Sequence, residues 1–434
     1  MGSNPQIRIA IIGGGIAGLA LAAGLTKKPH LSIHVYESVP SHLDVGAGLA
    51  LHGNAIKAMA LLGPEVRRAY FGAAVRVASE EDEEIATEVI LAQGPHAGEK
   101  VAELGRAKGR KSVSRADLLA GLRGLVPKEK LSFGKRLDEI VEDEGGVKLR
   151  FKDGTEVEAD CVLGADGIHS VVRAHLLGED HPATKPKNRD GWQVYRTLVS
   201  VEEARAQIDE KWTKGVPILL GPRGHVNCIP MNKGTRVSAG VAVRGAVMGE
   251  NGASKALDPA LYADYTEEAQ KIVRMVAKDT SASWSVGDHD HAPFYSKGCV
   301  AMMGDAAHAS LPFAGNGAAQ ALEDAAVLDH LFGRVKQASR IEAALAAYDT
   351  VRRPRSQSVV NLARAFGRVY AYAEGDMHEN PQKIRDFFAG AAVFTNEADL
   401  KKRTMRRWSC TNVPSGADRG AAQMARDEGA EDGL

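Results

Sequence analysis

Three glycines at fixed spacing, three acids that each follow a strand-like run, one arginine and one histidine are the residues of this 434-residue chain whose types and positions suit chemistry. Gly13, Gly15 and Gly18 form G-x-G-x-x-G. Gly13 permits a tight turn, Gly15 lets the backbone approach a pyrophosphate with no Cβ in the way, and Gly18 lets the next helix pack against the strand. Glu37 stands 19 residues beyond Gly18, where an acid receives ribose hydroxyls. A 2′-phosphate there would be repelled, so the site suits an adenosine with free ribose hydroxyls, as in NAD or FAD. Asp166 follows another apolar run, between Ala165 and Gly167. Asp305 follows a third, well placed for a ribityl or ribose hydroxyl, and the loop after it runs through Pro312 and Gly315 to Gly317 and Ala318, offering a second helix N-terminus to a ligand.

Arg196 and His225 stand out by parity. With the two-residue period of a strand, Trp192, Val194, Arg196 and Leu198 share one face, and His225, Asn227 and Ile229 share another. A guanidinium among apolar neighbours needs a partner, which a structural carboxylate, a bound acid or a flavin carbonyl would supply. His225 reads either as a satisfied structural histidine or as a group facing a ligand. Arg115 falls in the first turn of a helix opened by Ser114 and Asp117 as a capping box, either solvated or in reach of a phosphate or ribose. Gly48 and Ala50 belong to a small-residue stretch, 45–50, that is either a turn or backbone lying against a flat ligand. His308 on its own reads as structural.

The elements that must position these groups follow from hydrophobic pattern. Residues 8–12 and 33–36 read as strands joined by a helix over 16–26, with Lys27 and Lys28 suiting its far end. Residues 161–164 and 299–303 read as further buried strands. Asp153-Gly154 between alternating runs predicts a hairpin of 147–151 with 155–158. Residues 192–199, 217–220, 225–231 and 236–243 read as an antiparallel sheet. Beyond Arg340 the chain is helix-compatible to about residue 408, interrupted by basic Arg352, Arg353 and Arg355 around Pro354, and the last 25 or so residues read as loosely ordered. The expected fold is α/β: a discontinuous Rossmann-like dinucleotide-binding domain, 1–180 and 285–345, an inserted, mostly antiparallel β-sheet substrate domain, 181–284, and a helical C-terminal region, 346–434.

Composition excludes several classes. Lys plus Arg equals Asp plus Glu at 55 each, so no global field draws nucleic acid or an anionic surface. The acidic run 80–84 reads as a solvated edge. Hydrophobic residues at 44% are ordinary for a globular chain. Cys161, Cys228, Cys299 and Cys410 are widely spaced, so neither a metal site nor a disulfide framework is expected. The first apolar run is far shorter than the ~20 residues of a membrane span, and the expected compartment is the cytoplasm.

Taken together, Gly13 to Gly18 with Glu37, Asp166-Gly167 with Arg173, and Gly304-Asp305 through Pro312 to Gly317 resemble the single-component flavin-dependent aromatic hydroxylases, whose fold is that of para-hydroxybenzoate hydroxylase. The resemblance covers roughly residues 7 to 370 and is closest to the salicylate hydroxylase-like branch, including the fungal 3-methylorcinaldehyde monooxygenase type. It implies an enzyme that uses FAD, NADH or NADPH and O2 to hydroxylate or epoxidise an electron-rich aromatic through a flavin C4a-hydroperoxide. It implies FAD contacts at Gly13, Gly15, Gly18, Glu37, Gly48, Ala50, Arg115, Asp305, Gly315, Gly317 and Ala318, and ties Asp166 and Arg173 to both flavin and nicotinamide. Tyr195 and Arg196 match the family's arginine beside the active site, His225 a pocket histidine able to orient or deprotonate a phenol, and Pro312 the active-site loop. Two departures mark the pocket. Ile229 stands where dearomatising relatives carry a tyrosine, and Phe313 and Ala314 replace a polar pair, so with Asn227 they describe a less polar pocket with room for a bulkier polyketide or indole alkaloid. The alternatives are a flavin dehydrogenase, a halogenase, whose Trp-x-Trp-x-Ile signature is absent, or a non-catalytic dinucleotide sensor. Monomer and homodimer are both open.

Overall fold

The computed structural model describes residues 6–41, 48–74, 84–108, 112–143, 146–246 and 256–396. At its centre is a six-stranded sheet in the order Ser296–Lys297, Val300–Met302, Cys161–Gly164, Ile7–Ile12, Leu31–Tyr36, Leu131–Ser132. All neighbours are parallel except the outermost pair, Ser296–Lys297 with Val300–Met302. Parallel strands are covered on both faces and therefore read as unbroken apolar runs. Ile12 aligns with Tyr36 and with Gly164, and Gly164 aligns with Met302. That register brings Gly13, Glu37, Asp166 and Asp305 out at the same carboxyl end of the sheet, the end where open α/β sheets bind ligands.

Helix Ile16–Leu25 is buried at every residue, which its composition of Ala, Gly, Leu and Ile allows. Helix Gly317–Phe332 lies against it so closely that a Cβ on Gly24 would sit 2.3 Å from Asp329 Oδ1. Lys28 pairs with Asp329 at 2.5 Å and Lys27 with Glu65, so both lysines hold neighbouring elements to the helix end. A three-stranded antiparallel sheet, Leu137–Asp143, Gly146–Phe151 and Glu156–Ala159, contains the expected hairpin, with Arg150 opposite Glu156.

The second large sheet has seven strands, ordered Ser283–Ser285, Gln193–Ser200, Arg236–Val243, Gly224–Met231, Ile218–Gly221, Glu84–Leu91, Lys100–Lys108. Its last two strands come from outside the expected 181–284 segment. Val89 and Leu91, both fully buried, give Glu84–Leu91 a hidden face that the neighbouring acidic run obscures, and it pairs in parallel with Ile218–Gly221. One face of this sheet, with Tyr195, Val226, Cys228 and Val241, packs under helix Glu267–Ala277. The other, with Val194, Leu220 and Ala242, faces Phe313, Phe366 and Tyr370.

The C-terminal part is helical from just beyond Arg340, with a 30-residue helix Ile341–Tyr370 that continues through Pro354, followed by Pro381–Asn396. The final tail, the acidic residues 80–83 and residues 45–47 lie outside the described residues. Among the described residues no helix is long and apolar enough to cross a membrane.

Candidate functional site

The dinucleotide end is built by backbone proximity. Gly13 has φ +108° and donates its amide to Tyr36 O at 2.8 Å, and a Cβ there would lie 2.2 Å from Ala165 O. A Cβ on Gly18 would lie 2.0 Å from Gly13 O, so this glycine does permit the close helix-to-strand packing. Gly15 is different: a Cβ there would meet nothing within 4 Å. It caps helix Ile16–Leu25 without any side-chain hydrogen bond, leaving the helix N-terminus facing open space. Glu37 accepts from Gly14 N at 2.6 Å on Oε2 and from Val39 N at 2.9 Å on Oε1. Ser38 Oγ donates to Oε1 as well, at 3.2 Å; a carboxylate oxygen accepts two bonds, so capacity for a hydroxyl remains on Oε2.

Asp166 accepts from Ser170 Oγ at 2.5 Å and from Val171 N at 2.8 Å, fastening the start of helix Val171–Leu177. Burial pushes its carboxyl up, against those hydrogen bonds. Arg173 is fully buried and its guanidinium donates to four carbonyls, Ala183 O at 2.6 Å, Ala306 O and Ala307 O at 2.8 Å and Asp290 O at 2.9 Å, and to Met302 Sδ at 3.8 Å. Burial lowers it to about 10, so it stays a cation at neutral pH. Arg173 thus clamps the second motif to the helix Asp305–His308 and reaches no solvent-facing ligand, which corrects the expected direct tie. Asp305 is exposed, and its side chain makes no hydrogen bond among the described residues. Arg115 is exposed at the first position of helix Arg115–Arg123, whose cap is Ser114 accepting from Asp117 N at 3.0 Å.

Gly48 and Ala50 lie in a short strand paired with Ser112–Ser114. A Cβ on Gly48 would be 2.9 Å from both Ile229 Cγ2 and Met231 Sδ, so this glycine's smallness brings the two sheets together.

The seven-stranded sheet supplies the other wall. Arg196 pairs with Gly240, and Gly240 with Asn227, so Arg196 and Asn227 flank a position with no side chain, one strand to either side. Asn227 Oδ1 fills part of that gap, 2.7 Å from where a Cβ on Gly240 would be. In the next row Val194, Ala242, His225 and Leu220 are cross-strand neighbours. Arg196 is half-buried, with Nε lacking a partner and its guanidinium 5.2 Å from the Trp284 ring. It makes no ion pair among the described residues, and burial lowers its pKa. His225 is buried, edge-on to Phe313 at 5.2 Å and to Tyr370 at 5.0 Å, with Nδ1 unpartnered. Burial pushes it down to about 3, so the imidazole is neutral. A neutral imidazole can donate or accept a hydrogen bond.

Phe313 is seated on Gly367, packs against Trp192 in a tilted arrangement at 4.4 Å between ring centroids, and brings the turn Pro312–Ala314 onto the sheet. Pro312 and Gly315 are exposed, Gly317 and Ala318 half-buried, Ala314 buried. The structure therefore gathers Arg196, His225, Asn227, Ile229, Phe313 and Ala314 around one interface. Tyr195 does not join them. It is buried on the opposite face, near Tyr262, and burial raises its pKa. This corrects the expectation for Tyr195: adjacent strand residues point to opposite faces.

Sequence reasoning missed a buried polar cluster beneath the loop. Asp324 accepts from Gly304 N at 2.8 Å, His308 Nε2 at 2.6 Å and Arg352 Nε at 2.7 Å. Glu323 accepts from Arg352 Nη1, from Arg355 Nη2 at 2.7 Å and from Asn54 Nδ2 at 2.8 Å. Asn54 Nδ2 also reaches Asn316 Oδ1 at 3.1 Å. Burial alone would raise Asp324, but His308 and Arg352 hold it at about 2. Glu323 and Asp324 directly precede an apolar helical run, the one sequence signal that two acids were heading into a core.

An extended dinucleotide fits this end of the sheet. Gly15 opens on empty space, Asp305 is an unbonded surface acid, helix Gly317–Phe332 begins without a side-chain cap, and Asn316 Nδ2 is buried without a partner. The comparisons agree. The FAD binding domain family matches residues 111–363, and the NAD(P)-binding Rossmann-like domain family matches residues 11–41. A 6-methylsalicylate 1-monooxygenase of Aspergillus terreus is 38% identical over 409 residues, covering 92% of this chain and 91% of its own. A salicylate hydroxylase of Pseudomonas putida is 32% identical over 404 residues, covering 88% and 90%. A solved salicylate hydroxylase substrate complex superposes with a TM-score of 0.80 at 29% identity, covering 96% of this chain and all of that one.

Proposed function

The chain belongs to the FAD binding domain family and is an FAD-dependent, NAD(P)H-using aromatic monooxygenase, and from that premise we propose that its substrate is a 2-hydroxybenzoate bearing an apolar ring substituent. The observation that carries this reading is Arg196, a half-buried cation that makes no ion pair among the described residues, on the same sheet face as neutral His225. A buried cation without a counter-ion is costly, and a substrate carboxylate supplies one in bidentate geometry. The names of the similar enzymes, which act on 6-methylsalicylate and salicylate, point the same way.

Bound FAD, once reduced by NAD(P)H, supplies the oxygen activation. The chain's own residues hold and orient. Gly13, Gly15, Gly18 and Glu37 hold the adenosine and pyrophosphate end, and Asp305 with the helix start at Gly317 and Ala318 holds the ribityl end. Arg196 fixes the carboxylate, neutral His225 hydrogen-bonds the phenol, and Ile229, Phe313 and Ala314 meet the apolar substituent. The aromatic wall of Trp192, Phe313 and Tyr370 excludes water. In this reading Gly48 and Ala50 act as spacers between sheets, and Arg115 and Asp166 act at the edge of the flavin cleft.

Stimulated NAD(P)H consumption tests the reading with four compounds: salicylate, 6-methylsalicylate, the methyl ester of the latter, and 3-methylphenol. Both acids should stimulate, the substituted one more, and product mass shows whether the carboxyl is kept. Equal stimulation by ester or phenol would remove Arg196 from carboxylate binding.

A further inference from the structure

Arg352 lies on the helix Ile341–Tyr370, far along the chain from every residue expected to touch a ligand, and is 0% exposed. Its guanidinium spans two acids, Glu323 and Asp324, that are also 0% exposed. Asp324 reaches from this bridge to Gly304 N, just before Asp305, and to His308, three residues after it. Glu323 reaches through Asn54 to Asn316, the residue before Gly317. Gln320, in the same helix turn, accepts from Arg352 Nη2 at 2.7 Å and donates to Asn316 Oδ1 at 3.0 Å. Both ends of the loop 304–317, and the helix that begins just after the strand Gly48–Ala50, are therefore fastened to one guanidinium.

Stability does not require such an arrangement. Well-packed apolar side chains of similar volume are commonly as stabilising as a buried ion cluster, or more so. What the ions add is direction, because each bond fixes an amide or side chain of the loop at a set angle. We propose that Arg352 is a positioning residue for the flavin: through Glu323 and Asp324 it sets the loop 304–317 in the shape that binds FAD, coupling flavin binding to the docking of the C-terminal helix. This rests on the FAD reading of that loop. By linkage, bound FAD tightens the helix as much as the docked helix tightens FAD.

Arg352→Lys tests the proposal, since lysine keeps the charge balance but its single ammonium cannot bridge two carboxylates in a fork. Holoenzyme is diluted in series, and free flavin fluorescence gives the FAD dissociation constant; melting of the flavin-stripped chain is measured alongside. The expected result is a dissociation constant raised roughly ten- to hundredfold, within the usual range for coupled sites, and a loss of affinity larger than Val241→Ala shows for the same drop in melting temperature of the stripped chain. Val241→Ala, in the core on the far side of the seven-stranded sheet, is the control for general destabilisation. Unchanged FAD affinity in Arg352→Lys, or a loss no greater than that of Val241→Ala at matched melting temperature, overturns the proposal. If Arg352→Lys does not fold, Asn54→Ser decides: it cuts the link from Glu323 to Asn316 with no change of charge and should weaken FAD in the same direction, whereas unaltered affinity overturns the coupling. A wild-type chain that binds no FAD would instead sink the flavin reading itself.

Discussion

His225→Phe should change how stability depends on pH while leaving the packing around it largely in place. Burial holds His225 at about 3, against about 6.5 for histidine in an unfolded chain. Between those values the unfolded chain takes up a proton that the folded protein refuses, so stability is lost as pH falls through that window and is unaffected above it. Each pH unit below 6.5 is worth about 1.4 kcal/mol, so wild type loses about 2 kcal/mol at this residue between pH 7.5 and pH 5.0. Phenylalanine keeps a ring between Phe313 and Tyr370, cannot titrate, and removes the unpartnered Nδ1. The stability difference between variant and wild type should therefore move by about 2 kcal/mol toward the variant over that range. His289, also pushed down to about 3 chiefly by burial, is common to both proteins and cancels. Urea unfolding of flavin-loaded protein at pH 7.5, 6.0 and 5.0 measures the difference. Parallel pH curves for the two proteins would refute the buried neutral imidazole.

Gly15→Val places a branched side chain in the open space before the first helix, so the ratio of flavin to protein absorbance should drop while the apoprotein melts normally. Asp305→Ala removes an exposed acid with no protein partner, so the fold should be intact and flavin retention or reduction impaired; full occupancy and rate would show that the carboxylate does not meet the cofactor. Arg196→Lys keeps the charge but loses the planar fork. Product per NAD(P)H consumed should fall, with hydrogen peroxide in its place, and an unchanged coupling ratio would make the arginine structural.

Gly13, Gly15, Gly18 and Glu37 were legible because their geometry is local: strand, turn, helix and strand follow one another within about thirty residues. The inward position of Arg196 and His225 was legible from the two-residue period alone, and the same period argues against Tyr195, which the family resemblance had suggested. Arg352 was not legible. In sequence it is one of three arginines around a proline, a pattern that suggests a solvated break, and its partners Glu323 and Asp324 lie on the preceding helix, so only the helix-to-helix docking reveals the pairing. Glu84–Leu91 was hidden for a related reason: its partner Ile218–Gly221 is more than a hundred residues away, and pairing over that distance leaves no local trace.

The helix Ile341–Tyr370 also has a consequence for anyone recombining such enzymes. Arg352 sits beneath the 304–317 loop, while Tyr370 packs on His225, and Tyr372 just beyond donates its hydroxyl to Leu220 O at 3.1 Å. The eighteen helical steps from Arg352 to Tyr370 correspond to about 27 Å of rise, and inserting one residue would turn Tyr370 by about 100°. The helix is thus a gauge of fixed length between two workplaces. A chimera that imports a relative's substrate sheet without that relative's helix inherits a wall cut to another protein's measure, so the crossover that closes the imported segment belongs after Tyr372.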